Sequence, residues 1–245
     1  MKRALLFLCL LIGFSAKSQT LRIAVAANAQ FVIKALTADF KTRTGLKTEV
    51  IIGSSGKLAA QIKNGAPFDF FLSADMDLPA RLYDEGFATT PAKAYALGNL
   101  VVCSRSVDLK NWQKMVQHVR VRKIAIANPE LAPYGEAAVQ ALKKGNLWNK
   151  IKSKMIIAES IAQVNTYITT GAVDVGFTTE AFIREGHGNL KWSKVDARTY
   201  NKIEQGMVVL SHAKKGNHAI ALKFYNYLQS APAKKILLKS GYQIP

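Results

Sequence analysis

Five consecutive residues, Gly53-Ser54-Ser55-Gly56-Lys57, stand between an apolar run and a stretch of helical spacing. A tight turn of glycines and hydroxyls that opens a helix aims unpaired N–H groups and the positive end of the helix dipole at one point, which suits an anion. The nucleotide-binding P-loop does not fit. That motif needs Gly at position 51 and Ser or Thr after the lysine, where this sequence has Ile51 and Leu58. Three other positions offer the same kind of chemistry. Asn28 follows the apolar run 21–27 (LRIAVAA), Tyr134 lies between Pro133 and Gly135, and Ser160 with Gln163 forms a capping box ahead of Ile161. Each also has a plain structural reading: a helix cap for Asn28, Ser55 and Ser160, a packing residue for Tyr134.

Catalytic constellations are missing. His118, His187, His212 and His218 are dispersed, without the spacing of zinc ligands. Asp69, Asp75 and Glu159 fall near strand ends, but Asp75 is explained as a cap. The nucleophile elbow Gly-x-Ser-x-Gly does not occur. Cys103 sits in an apolar run, the setting of a buried, inert thiol. The expectation is a protein that holds an anion and is not an enzyme; a two-lobed enzyme acting on an anionic substrate is the remote alternative.

The elements that must position these residues alternate. Runs 21–27, 48–52 (TEVII) and 68–72 (FDFFL) read as strands, each followed by a helical pattern that stops at Gly45, Gly65 or Gly86. Three strand-then-helix units in succession predict parallel strands joined by crossover helices. Asn28, Ser55 and Asp75 are placed to cap the three helices. The run 95–103 (YALGNLVVC) is long enough to leave one lobe and enter another. Residues 107–120 are expected to be helical, 123–127 (KIAIA) a strand, and a helix runs from Tyr134 to Lys144. Strands at 154–158 (KMIIA) and 173–177 (VDVGF) flank the helix capped by Ser160; 184–203 reads as a polar surface connection. A strand at 206–211 (GMVVLS) and helices at 219–228 and 233–239 close the chain. The fold class is therefore α/β, with a second lobe inserted into the first and two extended crossings. The boundaries are 1–18 for a leader, 19–101 and 206–245 for lobe I, and 102–205 for lobe II. Ligands of such folds bind beyond the carboxyl ends of the strands, where helices begin.

The first residues are Met-Lys-Arg, then an apolar stretch over 4–14, then Ser15-Ala16-Lys17-Ser18. This is the three-part pattern of a cleavable secretory signal, with cleavage after Ser18. It predicts export and leaves Cys103 as the single thiol, since Cys9 departs with the leader. The formal charge is +18, and +15 (31 basic against 16 acidic residues) once Lys2, Arg3 and Lys17 are removed. The basic residues are scattered and no arginine-rich or aromatic-interleaved stretch occurs, which argues against a nucleic-acid partner. A generally positive surface instead speeds the arrival of a small anion.

Several blocks in order, AVAANAQF (24–31), GSSGKLAAQIKNGAPFD (53–69), FLSAD (71–75), YALGNLV (95–101), IANPELAPYGEAA (126–138) and ESIAQ (159–163), resemble the molybdate-binding periplasmic proteins of ABC importers. The resemblance covers nearly the whole chain after the leader. It implies a type II periplasmic binding fold, a tetrahedral oxyanion ligand (molybdate or tungstate), no cofactor, a monomer in the periplasm, and an inner-membrane ABC permease as partner. The binding positions it implies are Ala27 and Asn28, Ser55, Tyr134 through its phenol, and the backbone at Ile161. Other branches of the family use a tyrosine after the strand matching 173–177, where this chain has Thr178 and Thr179. A binding protein of the same fold for sulfate, phosphate or an organic anion is the alternative.

Overall fold

The computed structural model describes residues 20–186 and 189–245, so the leader reading and His187 lie outside the described residues. The chain begins with β1 (Thr20–Ala26), α1 (Val32–Thr44), β2 (Lys47–Gly53), α2 (Ser55–Lys63), β3 (Phe70–Leu72), α3 (Asp77–Asp84) and β4 (Lys93–Gly98). It continues with β5 (Leu100–Ser104), α4 (Trp112–Met115), β6 (Ile124–Ala127), α5 (Pro133–Lys144), α6 (Trp148–Ile151), β7 (Met155–Ala158), α7 (Ile161–Thr170), β8 (Val175–Thr179), α8 (Glu180–Arg184) and β9 (Lys191–Lys194). It ends with β10 (Ile203–Val209), α9 (His218–Leu228) and α10 (Ala231–Lys239).

Two five-stranded sheets result, in the orders β2-β1-β3-β10-β4 and β7-β6-β8-β5-β9. β1 pairs in parallel with both β2 and β3, and β6 with both β7 and β8, as the alternating pattern predicts. The two extended crossings appear as antiparallel members of each sheet: β10 in the first, β5 in the second. In the first lobe one face of the sheet is covered by the packing of Leu36, Phe40, Phe224 and Leu237, and the other by Leu58, Ile62 and Leu82. The second lobe has its own core around Ile126, Leu142, Val164 and Phe177.

One expectation is met and two change. The run 95–103 crosses between the lobes as expected, as two strands in different sheets interrupted at Asn99, whose carbonyl accepts from the Glu180 N–H at 3.1 Å and whose amide binds Glu180 Oε2 and the Gly241 carbonyl. Residues 107–120 are helical only over Trp112–Met115. Upstream, Ser104 Oγ takes the N–H groups of Ser106 and Val107 and Asp108 takes that of Lys110, so side chains hold the backbone in turns that compete with a helix. The connection 184–203 contains β9, an edge strand with a lysine at each end that pairs with β5. Its charged composition suits an edge and hides it from hydrophobic periodicity.

Candidate anion-binding cleft

At the carboxyl ends of both sheets, where the lobes face each other, a small cavity of about 10 Å³, near the space of one water, is lined by Ala27, Asn28, Ser55, Tyr134 and Ile161 together with Ser54. All five positions expected from the sequence thus meet at one point. Ala26, Ala74, Ala132 and Pro133 complete the wall, and no lining side chain carries a charge. The positive field comes from geometry: α2, α5 and α7 all begin at this cavity. The N–H groups of Ser55, Tyr134 and Ile161 belong to first turns, where no intrahelical acceptor exists, and they have no partner among the described residues.

Ser55 is not the cap. Ser54 occupies that place, without a side-chain cap bond, and its buried hydroxyl has no partner. Ser55 is the first helical residue, 1% exposed, and its Oγ accepts the Ala74 N–H at 3.0 Å. One lone pair is thereby used, and the hydroxyl proton remains free to donate into the cavity. Asn28 does not cap α1 either; it lies in a 3-10 turn, Ala27–Ala29, ahead of that helix. Gln205 Nε2 serves the carbonyls of Ile203 (3.1 Å) and Ala74 (3.4 Å), so its Oε1 must accept from Asn28 Nδ2, at 2.6 Å. The same nitrogen reaches Tyr242 at 3.2 Å, and the Tyr242 hydroxyl donates to the Asn28 carbonyl at 3.0 Å. With its amide nitrogen so occupied, Asn28 can offer an anion its backbone but not its side chain.

Tyr134 is 1% exposed. A Cβ built on Gly98, at the end of β4, would lie 1.9 Å from the phenol oxygen and 3.0 Å from Gln205 Nε2. The ring therefore reaches from lobe II to the seam where β4 gives way to β5, and only glycine leaves it room. Burial, followed by the neighbouring phenols of Tyr242, Tyr95 and Tyr200, pushes the Tyr134 hydroxyl well above its ordinary range, with the Asn28 side chain pulling the other way. It keeps its proton, yet it has no hydrogen-bond partner, and neither does Asn28 Oδ1. Tyr134 also brings an unpartnered N–H, at the second position of α5, to the cavity wall. Gly135 makes that possible: a Cβ there would fall 2.1 Å from the Ala127 carbonyl oxygen, so glycine lets α5 start directly on the end of β6.

Ser160 caps α7, accepting the Gln163 N–H at 3.4 Å, while Gln163 Oε1 reaches back to the Glu159 N–H at 2.7 Å. Asp75 takes the Leu78 N–H at 2.7 Å, the capping role expected. Thr178 and Thr179 stay away from the cavity: Thr178 donates to Asn165 at 2.5 Å and Thr179 takes the Phe182 N–H at 3.1 Å. Cys103 is fully buried in β5, and burial pushes its thiol up to about 12. Gln205, Tyr242, Gly98 and Ala74 were missed, since their roles depend on contacts with residues far away in sequence. Asp69 belongs elsewhere: it binds the Arg22 N–H (2.9 Å), Asn217 (2.7 Å) and His212 (3.0 Å) ahead of β3, as a structural anchor.

Two α/β lobes closing on a neutral pocket ringed by helix starts define a solute-binding protein of the two-lobed kind. A profile of bacterial extracellular solute-binding proteins matches residues 21–243, and the chain belongs to that family. It is 35% identical to the molybdate-binding protein ModA of Azotobacter vinelandii over 95% of this chain and 93% of that protein. It is 34% identical to the molybdate-binding protein ModA of Rhodobacter capsulatus, over 89% of this chain and 86% of that one. Among solved structures, the Azotobacter vinelandii periplasmic molybdate-binding protein superposes with a TM-score of 0.86 at 33% identity, covering 92% of this chain and 99% of that chain.

Proposed function

We propose that this protein captures molybdate or tungstate between its lobes and delivers it to the inner-membrane permease of an ABC importer. The observation that carries the reading is the convergence of three helix N-termini on one uncharged cavity, in a chain 35% identical to a molybdate-binding protein. The donors are the N–H groups of Ser55, Tyr134 and Ile161, the Ser55 hydroxyl, and the backbone at Ala27–Asn28. Charge-assisted bonds from neutral groups hold a dianion without a buried counter-charge. Molybdate near neutral pH has no proton to place, whereas protonated phosphate would bring an O–H that a ring of donors leaves unpaired, at about 1–3 kcal/mol. Sulfate, equally proton-free, is separated by size. The chain is a carrier, exported by cleavage after Ser18 and monomeric in the periplasm, with its lobes changing over at Asn99 and just before β10, a few residues from the expected boundaries. Titration calorimetry with molybdate, tungstate, sulfate and phosphate tests the ligand. Tight sulfate binding with no heat from molybdate would overturn the assignment, and N-terminal sequencing of the exported protein tests the leader.

A further inference from the structure

Two residues next to Ser55 touch the opposite lobe and not the cavity. The Gly56 N–H, second in α2, donates to the Leu131 carbonyl at 3.0 Å, in the segment that leads into α5. Lys57 Nζ lies 2.7 Å from Glu159 Oε1, just ahead of α7. So the first turn of one lobe-I helix reaches the approaches to both lobe-II helices that begin at the cavity. Gly56 is suited to this: a Cβ there would meet the Leu131 Cα at 3.2 Å and its carbonyl oxygen at 3.3 Å, tight contacts with backbone that can exist only while the lobes are together. Glu159 is held by its own N–H bond to Gln163, which fixes the backbone that carries the carboxylate.

We propose that Gly56 and Lys57, with Leu131 and Glu159, form a clasp that holds the lobes shut and sets how slowly the ligand leaves. It rests on the oxyanion reading only for the identity of the ligand. The ion pair is solvent-exposed, 47% for Lys57 and 59% for Glu159, so its effect is modest and screened by salt. An exposed pair of this kind corresponds to a release rate about two- to five-fold faster when either partner is neutralised. A methyl group at position 56 presses on Leu131 only in the closed form, so Gly56→Ala speeds release about tenfold. Lys57 and Glu159 act on lobe closure, not on the ligand, and their signature is rescue by exchange of charge.

The experiment measures molybdate release by chase of labelled with unlabelled ligand, and its association separately, for wild type, Lys57→Gln, Glu159→Gln, the exchange Lys57→Glu with Glu159→Lys, and Gly56→Ala. At low salt both neutral variants release faster, the exchange returns the rate to near wild type, and added salt speeds release in wild type but not in Lys57→Gln. Release unchanged in both neutral variants, or an exchanged pair as fast as the single variants, overturns the clasp. A wild type that does not bind molybdate refutes the ligand assignment instead. The clasp is then judged by inter-lobe distances between spin labels on the two lobes, where a closed fraction unaffected by either neutralisation overturns it.

Discussion

Replacing Tyr134 by Phe removes one oxygen from the seam between the lobes and separates two roles for this residue. The phenol oxygen is buried, keeps its proton and has no partner, while the N–H at the start of α5 faces the cavity. An unsatisfied buried hydroxyl costs about 1–3 kcal/mol, so its removal stabilises the ligand-free protein by up to that amount. For a domain of this size that is a rise in Tm of roughly 2–10 °C. The ring still fills the space over Gly98, no cavity opens, and the N–H donor is untouched, so molybdate affinity stays within about threefold. Thermal unfolding of the ligand-free variant and calorimetry with molybdate measure the two quantities. A loss of affinity of tenfold or more would show that the phenol donates to the ligand, as the sequence alone suggested. An unchanged Tm would show that the hydroxyl already has a partner, the Asn28 side chain being the one that acts on it, and would refute the stability argument.

Ser55→Ala is the opposite case: it takes a donor from the ligand, a loss of roughly 1.5–3 kcal/mol and so about 10- to 150-fold in Kd, and it strands the buried Ala74 N–H, so ligand-free stability falls as well by chemical denaturation. Asp75, half-buried at the lobe junction, has its carboxyl pushed above the usual range by loss of solvent, against the Leu78 and Ser73 bonds and with Asp77 adding to it. A carboxyl raised on folding contributes stability below its unfolded pKa and loses it as pH rises through the folded value. Urea midpoints of wild type should therefore fall behind those of Asp75→Asn as pH rises above the ordinary carboxylate range, and parallel curves would refute this. Cys103, with its thiol pushed up to about 12, should resist iodoacetamide in the native protein and react on unfolding, read by peptide mass spectrometry.

The positions of the site were legible because they follow from local rules: apolar runs of strand length, helical spacing, and small or polar residues where one gives way to the other. Those rules set where a helix starts to within a residue or so, and that tolerance decided the errors. With two adjacent serines the pattern does not say which one caps, and the structure gives the cap position to Ser54 and the Ala74 N–H to the Ser55 hydroxyl. The surroundings of the Asn28 and Tyr134 side chains were not legible for another reason. Their side chains are engaged by Gln205, Tyr242 and Gly98, residues that β10, β4 and the C-terminal turn bring in from far along the chain. A glycine at position 98 carries no sign in sequence that it seats a phenol.

The distribution of charge connects these observations. A protein with an excess of basic residues, whose pocket binds a dianion by proposal, lines that pocket with none of them. A lysine buried there would need a partner whenever the pocket is empty, and an unpaired buried charge is expensive. Helix starts avoid this, because their N–H groups are dipoles anchored by the covalent structure, present in both the empty and loaded states at no further desolvation. Lysines spread over the surface can still draw anions toward the cleft, an effect on arrival that salt screens. Lys57, two residues from Ser55, is already paired across the lobes with Glu159 and so serves closure instead of attraction. Arrival, retention and selectivity are thereby assigned to different groups: the scattered surface charge, the contact between Gly56–Lys57 and the opposite lobe, and the ring of neutral donors headed by Ser55.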